Sequence, residues 1–296
     1  MRAIVTGGLG FVGRVLAARL AAAGHEAVVF DAVQGDDVCD ADALRALMED
    51  GTTVFHLAAI RGGQGEREFD GAWRVNLDGT RAVLEACRRH GGIRLVFAST
   101  LAVFGGKRMP DVVDERVRPM PQTTYGATKT AGELLIADYT RKGFVDGRVG
   151  RLATVIVNPD APAHATSAFA SAVVSEVLAS RDYEAPVALD RRLPVIGVRT
   201  AADCLARLAE IPSVALGDDR VVHLPSLAVT AQELTEAAQR AGGRGHVHSR
   251  PDPHVEAVVG TWPREASAER ALALGLPRDE DVDSIVRAYL EDFGRL

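Results

Sequence analysis

The chain has 296 residues, more than one compact α/β domain usually needs and fewer than two of typical size, so a main domain with a smaller appended lobe fits best. With 47% hydrophobic and 25% charged residues, its composition excludes a disordered chain. A formal net charge of -6 without any dense run of Lys and Arg excludes the basic surface that nucleic acid or an anionic membrane requires, which leaves a small molecule as the expected partner.

The 3 cysteines, Cys39, Cys87 and Cys204, are widely separated and form no C-x-x-C pair, so they predict neither a disulfide framework nor a zinc site and suit a reducing cytoplasm. The apolar N-terminus is broken at once by Gly7, Gly8, Gly10 and Gly13, with no cleavage site and no continuous apolar span. Neither a signal peptide nor a membrane helix is expected.

In the first half, short β-branched runs alternate with longer amphipathic stretches, the pattern of an α/β fold with a doubly wound parallel sheet. The predicted order is a strand from Arg2 to Val5, a helix from Phe11 to Ala23 stopped by Gly24, and a strand from Glu26 to Phe30. A helix from Ala41 to Glu49, a strand from Thr53 to Leu57, and a helix from Asn76 to His90 follow. Next come a strand from Ile93 to Ser99, a helix from Tyr125 to Lys142, and a strand from Arg151 to Val157. Between Asp31 and Asp37 there is room for barely a turn, so the third strand of a doubly wound sheet is expected to be vestigial. Beyond Asn158 a Pro-rich loop, a helix from Ser167 to Ala179, a strand from Leu193 to Val198 and a helix from Ala201 to Leu208 lead into a second lobe. Thr230 and Glu233 have capping-box spacing, and Asp281 to Phe293 reads as a closing amphipathic helix. The expected division is 1–157, rejoined by about 192–212, for the sheet domain, and 158–191 with 213–296 for the smaller C-terminal substrate lobe.

Between the first strand and the first helix, the segment Gly8 to Gly13 satisfies G-x-G-x-x-G, with Gly7 just before it. Glycine is needed because the turn demands unusual dihedrals and because a side chain would keep backbone amides away from a pyrophosphate at the helix N-terminus. Gly7, Gly10, Phe11, Val12 and Gly13 are therefore candidate cofactor contacts. Asp31, at the end of the second strand, can accept hydrogen bonds from adenosine ribose hydroxyls and repel a 2′-phosphate, which predicts NAD rather than NADP. Arg14 is a candidate 2′-phosphate partner or a solvated helix side chain. Asp37 and Val38 border the adenine or are ordinary loop residues.

Tyr125 and Lys129 lie i, i+4 on a predicted helix, so both face one cleft. A nearby ammonium favours the phenolate, and a lysine here can also hold the nicotinamide ribose. Ser99 and Thr100 end a parallel strand, where α/β sheets place ligands, and Thr100 can donate to a substrate oxygen or satisfy loop backbone.

Taken with His56-Leu57-Ala58-Ala59, Val75-Asn76, Val103-Phe104-Gly105 and Tyr125-Gly126-Ala127-Thr128-Lys129, these motifs resemble the extended short-chain dehydrogenases, the family that includes nucleotide-sugar epimerases and dehydratases. The resemblance runs nearly end to end. It implies a Rossmann domain, NAD as cofactor and a homodimer through paired helices. It places Thr100 where the family carries its catalytic Ser or Thr, Tyr125 as acid/base and Lys129 as the ribose-holding lysine. Leu57, Ala58, Ala59 and Ala98 should line the cofactor, and Asn76 should support the active-site backbone. Gly62, Leu101, Ala102 and Asn158 are candidate substrate contacts.

The segments Phe97 to Gly106 and Gly143 to Arg148 look closer to a branch that oxidises short polyhydroxy acids, erythronate-like, at carbon 2 than to the sugar-nucleotide enzymes, and the small second lobe agrees. Thr100 for the usual serine, the deleted third strand, Arg61-Gly62-Gly63 after Ile60, and Asn158-Pro159-Asp160 where Arg-Pro-Gly is expected all depart from that branch. The last removes a candidate carboxylate partner. Two alternatives stay open: a nucleotide-sugar epimerase or dehydratase that reoxidises its NAD within one turnover, and a noncatalytic NAD-binding regulator, for which retention of Thr100, Tyr125 and Lys129 has no purpose.

His246, His248 and His254 invite a metal reading, but no carboxylate or thiol completes a ligand set, and no metal is expected. His56 reads as a buried, hydrogen-bonded residue. Arg199 is either a clamp for a substrate anion or a surface ion pair. Trp262-Pro263 and Leu274 to Pro277 are assigned to packing.

Overall fold

The structure is a computed structural model that describes residues 1–160 and 167–294. The first half contains β1 (Arg2–Thr6), α1 (Phe11–Ala22), β2 (Glu26–Phe30), α2 (Ala41–Ala46), β3 (Thr53–His56), α3 (Gly62–Arg67) and α4 (Phe69–Trp73). There follow α5 (Gly79–His90), β4 (Arg94–Thr100), β5 (Val112–Val113), α6 (Thr124–Arg141), β6 (Asp146–Leu152) and β7 (Thr154–Ile156). The second half contains α7 (Ala168–Leu178), β8 (Tyr183–Ala185), β9 (Arg192–Gly197), α8 (Val198–Glu210), α9 (Ser213–Leu216), β10 (Val221–His223) and β11 (Leu227–Thr230). It closes with α10 (Ala231–Arg240), β12 (Val247–Ser249), α11 (Pro253–Val259), β13 (Glu265–Ala266), α12 (Glu269–Ala273) and α13 (Val282–Phe293).

Six strands form one parallel sheet in the order β2-β1-β3-β4-β6-β10. All of β3 is buried and so is most of β1, as strands covered on both faces require. One face packs α1 and α8 through Leu16, Leu20, Leu205 and Leu208; the other packs α2, α5 and α6 through Leu44, Val83, Leu84 and Ile136. The order reverses between β1 and β3, and the crevice at their carboxyl ends is where such a sheet takes its ligand. Among the described residues no strand lies outside β2: after Phe30 the chain makes a short 3₁₀ turn at Ala32–Gln34 and proceeds to α2, which is the predicted loss of the third strand. The smaller lobe has its own core, with Phe169, Val173, Leu234 and Tyr289 around Ile156 and Val195.

Three predicted elements differ. The last large strand of the sheet domain is β6, Asp146–Leu152, not 151–157, and residues 154–156 form β7 in a separate three-stranded sheet with β9 and β11. The cause is buried charge within the strand. Arg148 is fully buried and donates to the carbonyls of Leu208 (2.6 Å) and Ala209 (2.8 Å) and to Asp146 (2.8 Å). Second, β9 does not rejoin the main sheet; β10 does, pairing with β6, although α8 packs against α1 as a helix of the sheet domain would. Third, the helix predicted from Asn76 starts earlier, because α4 runs into α5 through a wide π turn at Arg74–Asp78. The Pro-rich stretch expected after Asn158 falls mainly on residues outside the described range. The capping box at Thr230 and Glu233 is present, as is the cap of α13 by Asp281.

Arg151, the other charge inside β6, is held by Glu133 of α6 at 2.8 and 2.6 Å, with both side chains nearly inaccessible. Removing one partner of a buried pair leaves an uncompensated charge. Glu133→Ala should therefore lower the unfolding free energy by about 3–5 kcal/mol in a urea titration, and a loss below about 1 kcal/mol would show that Arg151 has another partner.

Candidate active site

The turn after β1 is shaped by close backbone approach. Gly7 has φ +70°, and a Cβ there would lie 2.7 Å from the Ala58 amide nitrogen. At Gly13 a Cβ would lie 2.2 Å from the Gly7 carbonyl oxygen. The N-cap of α1 is Gly10, with no side-chain cap, and its first helical bond runs from Arg14 N to Gly10 O at 3.0 Å. The amides of Phe11, Val12 and Gly13 thus precede the helix's own hydrogen bonds and suit a phosphate. A dinucleotide fits this cradle because the glycines leave the space that a pyrophosphate needs.

Asp31 ends β2 as expected. Its Oδ2 accepts the Leu9 amide (2.9 Å) and its Oδ1 the Val33 amide (3.0 Å), so it fixes the phosphate turn and still has lone pairs for ribose hydroxyls. The neighbouring candidates have other duties. Val38 is buried in the core against Gly79, and Asp37 pairs with Arg74 while accepting the Cys39 amide at 2.9 Å.

At the end of β3, His56 joins a directed chain of hydrogen bonds. The Thr80 hydroxyl donates to the Asn76 carbonyl (2.6 Å), so it must accept from His56 Nε2–H (2.9 Å). That leaves His56 Nδ1 to accept from Thr6 Oγ1 (2.7 Å), whose oxygen receives the Ala58 amide (3.4 Å). Burial holds His56 down to about 3, with the Lys129 charge acting in the same sense. The ring is a neutral structural member, as the sequence suggested.

Asn76 sits in the π turn and is 1% exposed. Its Oδ1 accepts the Ile60 amide (2.8 Å), and its Nδ2 donates to the Ile60 carbonyl (2.9 Å) and to Thr128 Oγ1 (3.1 Å). The expected support of the active-site backbone is therefore a clasp between the loop after β3 and the turn of α6 that separates Tyr125 from Lys129. Glu66 of α3 adds a second tie, accepting the Thr124 amide at 2.6 Å.

On α6, Tyr125 and Lys129 share a face, and the helix start lies so close to β4 that a Cβ at Gly126 would be 2.2 Å from the Ala102 carbonyl oxygen. Lys129 is buried and donates to the Ala98 carbonyl at 2.8 Å, with its Nζ 4.3 Å from the Phe97 ring centroid. Burial holds Lys129 down to about 7, the Arg61 charge acting in the same sense and Glu133 opposing. Burial also pushes the Tyr125 phenol up, while the Arg61 charge and a hydrogen bond with Thr100 pull it down. Lys129 Nζ lies 6.0 Å from the Tyr125 ring centroid, and Arg61 adds a second positive charge that acts on the phenol. The Thr100 oxygen accepts the Ala102 amide at 3.1 Å, which orients the hydroxyl.

Other candidates divide. Leu57, Ala58 and Ala59 follow β3 beside the phosphate turn, and Gly62 (φ +50°) starts α3. Leu101 is buried in the core, and Ala102 belongs to the short turn after β4. Asn158 directs its Oδ1 to the Asp160 amide (3.1 Å) and its own amide to Ser171 Oγ (3.0 Å), a turn-forming role. Arg199 is not a clamp: it pairs with Glu291 (2.7 Å) and Asp292 (2.5 Å) of α13, because α8 starts beside that helix. Arg14 pairs with Asp160 at 3.1 Å. Among the described residues no three His, Cys, Asp or Glu groups cluster to hold a metal, and no helix is long and apolar enough to cross a membrane. Sequence reasoning missed Glu133, whose Oε1 also accepts from Ser99 Oγ at 2.5 Å. Its signal was the i, i+4, i+8 line of Tyr125, Lys129 and Glu133 on one helix face.

Residues 3–217 match the NAD dependent epimerase/dehydratase family. The chain belongs to that family. It is an extended short-chain dehydrogenase that uses NAD, as the resemblance implied. It is 41% identical to the D-erythronate dehydrogenase of Cupriavidus necator, over 99% of each chain, and 31% identical to that of Haemophilus influenzae, over 98% of this chain and 99% of the other. Among solved structures, the nucleoside-diphosphate-sugar epimerase from Agrobacterium tumefaciens superposes with a TM-score of 0.91 at 30% identity, covering 99% of this chain and 94% of that one.

Two outcomes test this geometry. Gly13→Ala should abolish or strongly weaken NAD binding in a fluorescence titration, since the new methyl collides with the Gly7 carbonyl; unchanged affinity would show that the turn moves aside at little cost. The second concerns acid. His56 and His223 are both held down to about 3 by burial, so between pH 6.5 and 3 the unfolded chain binds protons that the folded chain refuses. Stability should fall as pH drops through that window, each ring contributing up to about 1.4 kcal/mol per pH unit. Denaturant midpoints for wild type and His56→Gln check it, the variant having the shallower slope.

Proposed function

We propose that this protein oxidises a secondary hydroxyl of a short polyhydroxy acid of the D-erythronate type, with Tyr125 as general base. The supporting observation is a Thr100–Tyr125–Lys129 set beside the glycine cradle in a chain similar end to end to D-erythronate dehydrogenases. In this proposal the domain of the six-stranded sheet holds the cofactor, and the smaller lobe around β7, β9 and β11 shapes the substrate side. The cofactor, when bound, accepts hydride. The Thr100 hydroxyl, with its oxygen already held by the Ala102 amide, donates to the substrate oxygen. Tyr125 takes the hydroxyl proton. Lys129, anchored on the Ala98 carbonyl, keeps hydrogens free for the nicotinamide ribose. Gly7, Gly10, Phe11, Val12 and Gly13 hold the pyrophosphate, and Asp31 the adenosine ribose. We further propose that the protein acts in the cytoplasm as a homodimer; Cys39, Cys87 and Cys204 are free thiols.

Nucleotide-sugar epimerisation is the competing function, favoured by Asn158-Pro159 and by the Agrobacterium tumefaciens neighbour. Erythronate, threonate and related four- to six-carbon acids should give net NADH, and UDP- and dTDP-sugars none; turnover confined to the nucleotide sugars would overturn the choice. Tyr125→Phe should keep NAD affinity while lowering turnover by roughly two to four powers of ten. Thr100→Ser should stay active, Thr100→Val should not, and Lys129→Ala should weaken NAD binding. Because burial lifts the Tyr125 phenol, oxidation by the wild type should rise with pH through the alkaline range. A Tyr125→Phe enzyme with wild-type turnover would remove the mechanism.

A further inference from the structure

A hydroxy acid brings a carboxylate to the site, and neither Arg199, the candidate clamp, nor Asn158, a candidate substrate contact, suits it. Asn158 carries no charge and builds a turn, and Arg199 is engaged by Glu291 and Asp292. Two further arginines are also paired: Arg151 is buried on Glu133 and Arg14 pairs with Asp160, while Lys129 is anchored on Ala98 and assigned to the ribose. Arg61 differs from all of these. It is exposed, and among the described residues its guanidinium has neither a carboxylate partner nor a hydrogen-bond acceptor.

Its backbone is fixed from both sides. Ile60, the preceding residue, has its amide and its carbonyl on the Asn76 side chain, which also holds Thr128, one residue before Lys129. After Arg61 the chain turns at Gly62 (φ +50°) into α3, which Glu66 ties to the Thr124 amide, one residue before Tyr125. The loop that carries Arg61 is thus fastened at two points to the helix that carries Tyr125 and Lys129, and the Arg61 charge is felt by both.

We propose that Arg61 binds the carboxylate of the substrate and so selects short hydroxy acids over neutral analogues, an assignment that rests on the hydroxy-acid function above. A guanidinium grips a carboxylate with two parallel hydrogen bonds, which fixes orientation as well as affinity. Because the loop backbone is preset, only the Arg61 side chain has to be ordered when the carboxylate binds, and the adjacent carbon 2 hydroxyl is left for Tyr125 and Thr100.

The test compares erythronate with its primary amide, which keeps the carbon 2 hydroxyl and loses the charge, in wild type, Arg61→Met and Arg61→Lys, with NAD affinity measured in parallel. Arg61→Met should raise the KM for the acid by about 10- to 100-fold, erase the preference for acid over amide, and leave NAD affinity unchanged. Arg61→Lys should recover part of the loss, since a point charge replaces the fork. An unchanged KM for the acid in Arg61→Met overturns the proposal. So does a loss that affects acid and amide equally and appears in NAD affinity, which would place Arg61 on a cofactor phosphate. A wild type that oxidises no hydroxy acid overturns the proposed function itself, and is distinguished from the first two outcomes before any variant is made.

Discussion

One amide side chain holds the catalytic half of the molecule together. Asn76 satisfies both main-chain groups of Ile60 and reaches Thr128, so the three hydrogen bonds of one buried side chain tie the loop after β3 to the turn of α6 between Tyr125 and Lys129. Through its own carbonyl the same residue receives Thr80, and Thr80, His56 and Thr6 carry the connection under the sheet to the Ala58 amide beside Gly7. The phosphate turn, the loop with Arg61 and the helix with Tyr125 are therefore parts of one hydrogen-bonded frame. A π turn at this point is consistent with a helix distorted to place one side chain.

Behind that frame lies a second polar cluster of a different kind. Glu133 accepts from Ser99 and from both sides of the Arg151 fork; Arg151 in turn donates to His223 Nε2 at 3.2 Å and lies over the Phe104 ring, 5.0 Å from its centroid. The remaining ring nitrogen, His223 Nδ1, is buried and meets the hydrogen-bond criteria with none of the described residues. The cluster touches Ser99, not Thr100, and so braces the strand that presents the Thr100 hydroxyl. Its Glu133 carboxylate also acts on the Lys129 ammonium against the depression by burial and Arg61.

Much of this was readable because its physics is local. A glycine turn followed by an apolar helix, an acid at the end of the next strand, and a Tyr–Lys pair one helical turn apart are short-range patterns, and the structure has each where spacing put it. The failures were long-range. The strand 146–152 looked polar because Arg148 and Arg151 are satisfied by residues 208–209 and 133, distant in sequence. β9 looked like a returning sheet strand because it is apolar from Leu193 to Gly197, but a buried strand in the small sheet has the same pattern. Arg199 and Arg61 are chemically alike on paper; one lies against two acids of α13 and the other, among the described residues, against none, a difference set by the packing of α8 on the C-terminal helix.

The sheet that ends at β2 has an effect on how easily the protein could change. With no strand outside it, the corner after Phe30 is built by Asp31, whose two oxygens hold the Leu9 and Val33 amides, and by Asp36, which receives the Asp31 amide at 2.9 Å. The residue suited to ribose is thus also the local scaffold. Replacing it to admit a 2′-phosphate would strip two amides of their acceptor in the same step, so a drift in cofactor choice needs a compensating acceptor to arise first. The shortened sheet makes the preference harder to lose than the motif alone implies.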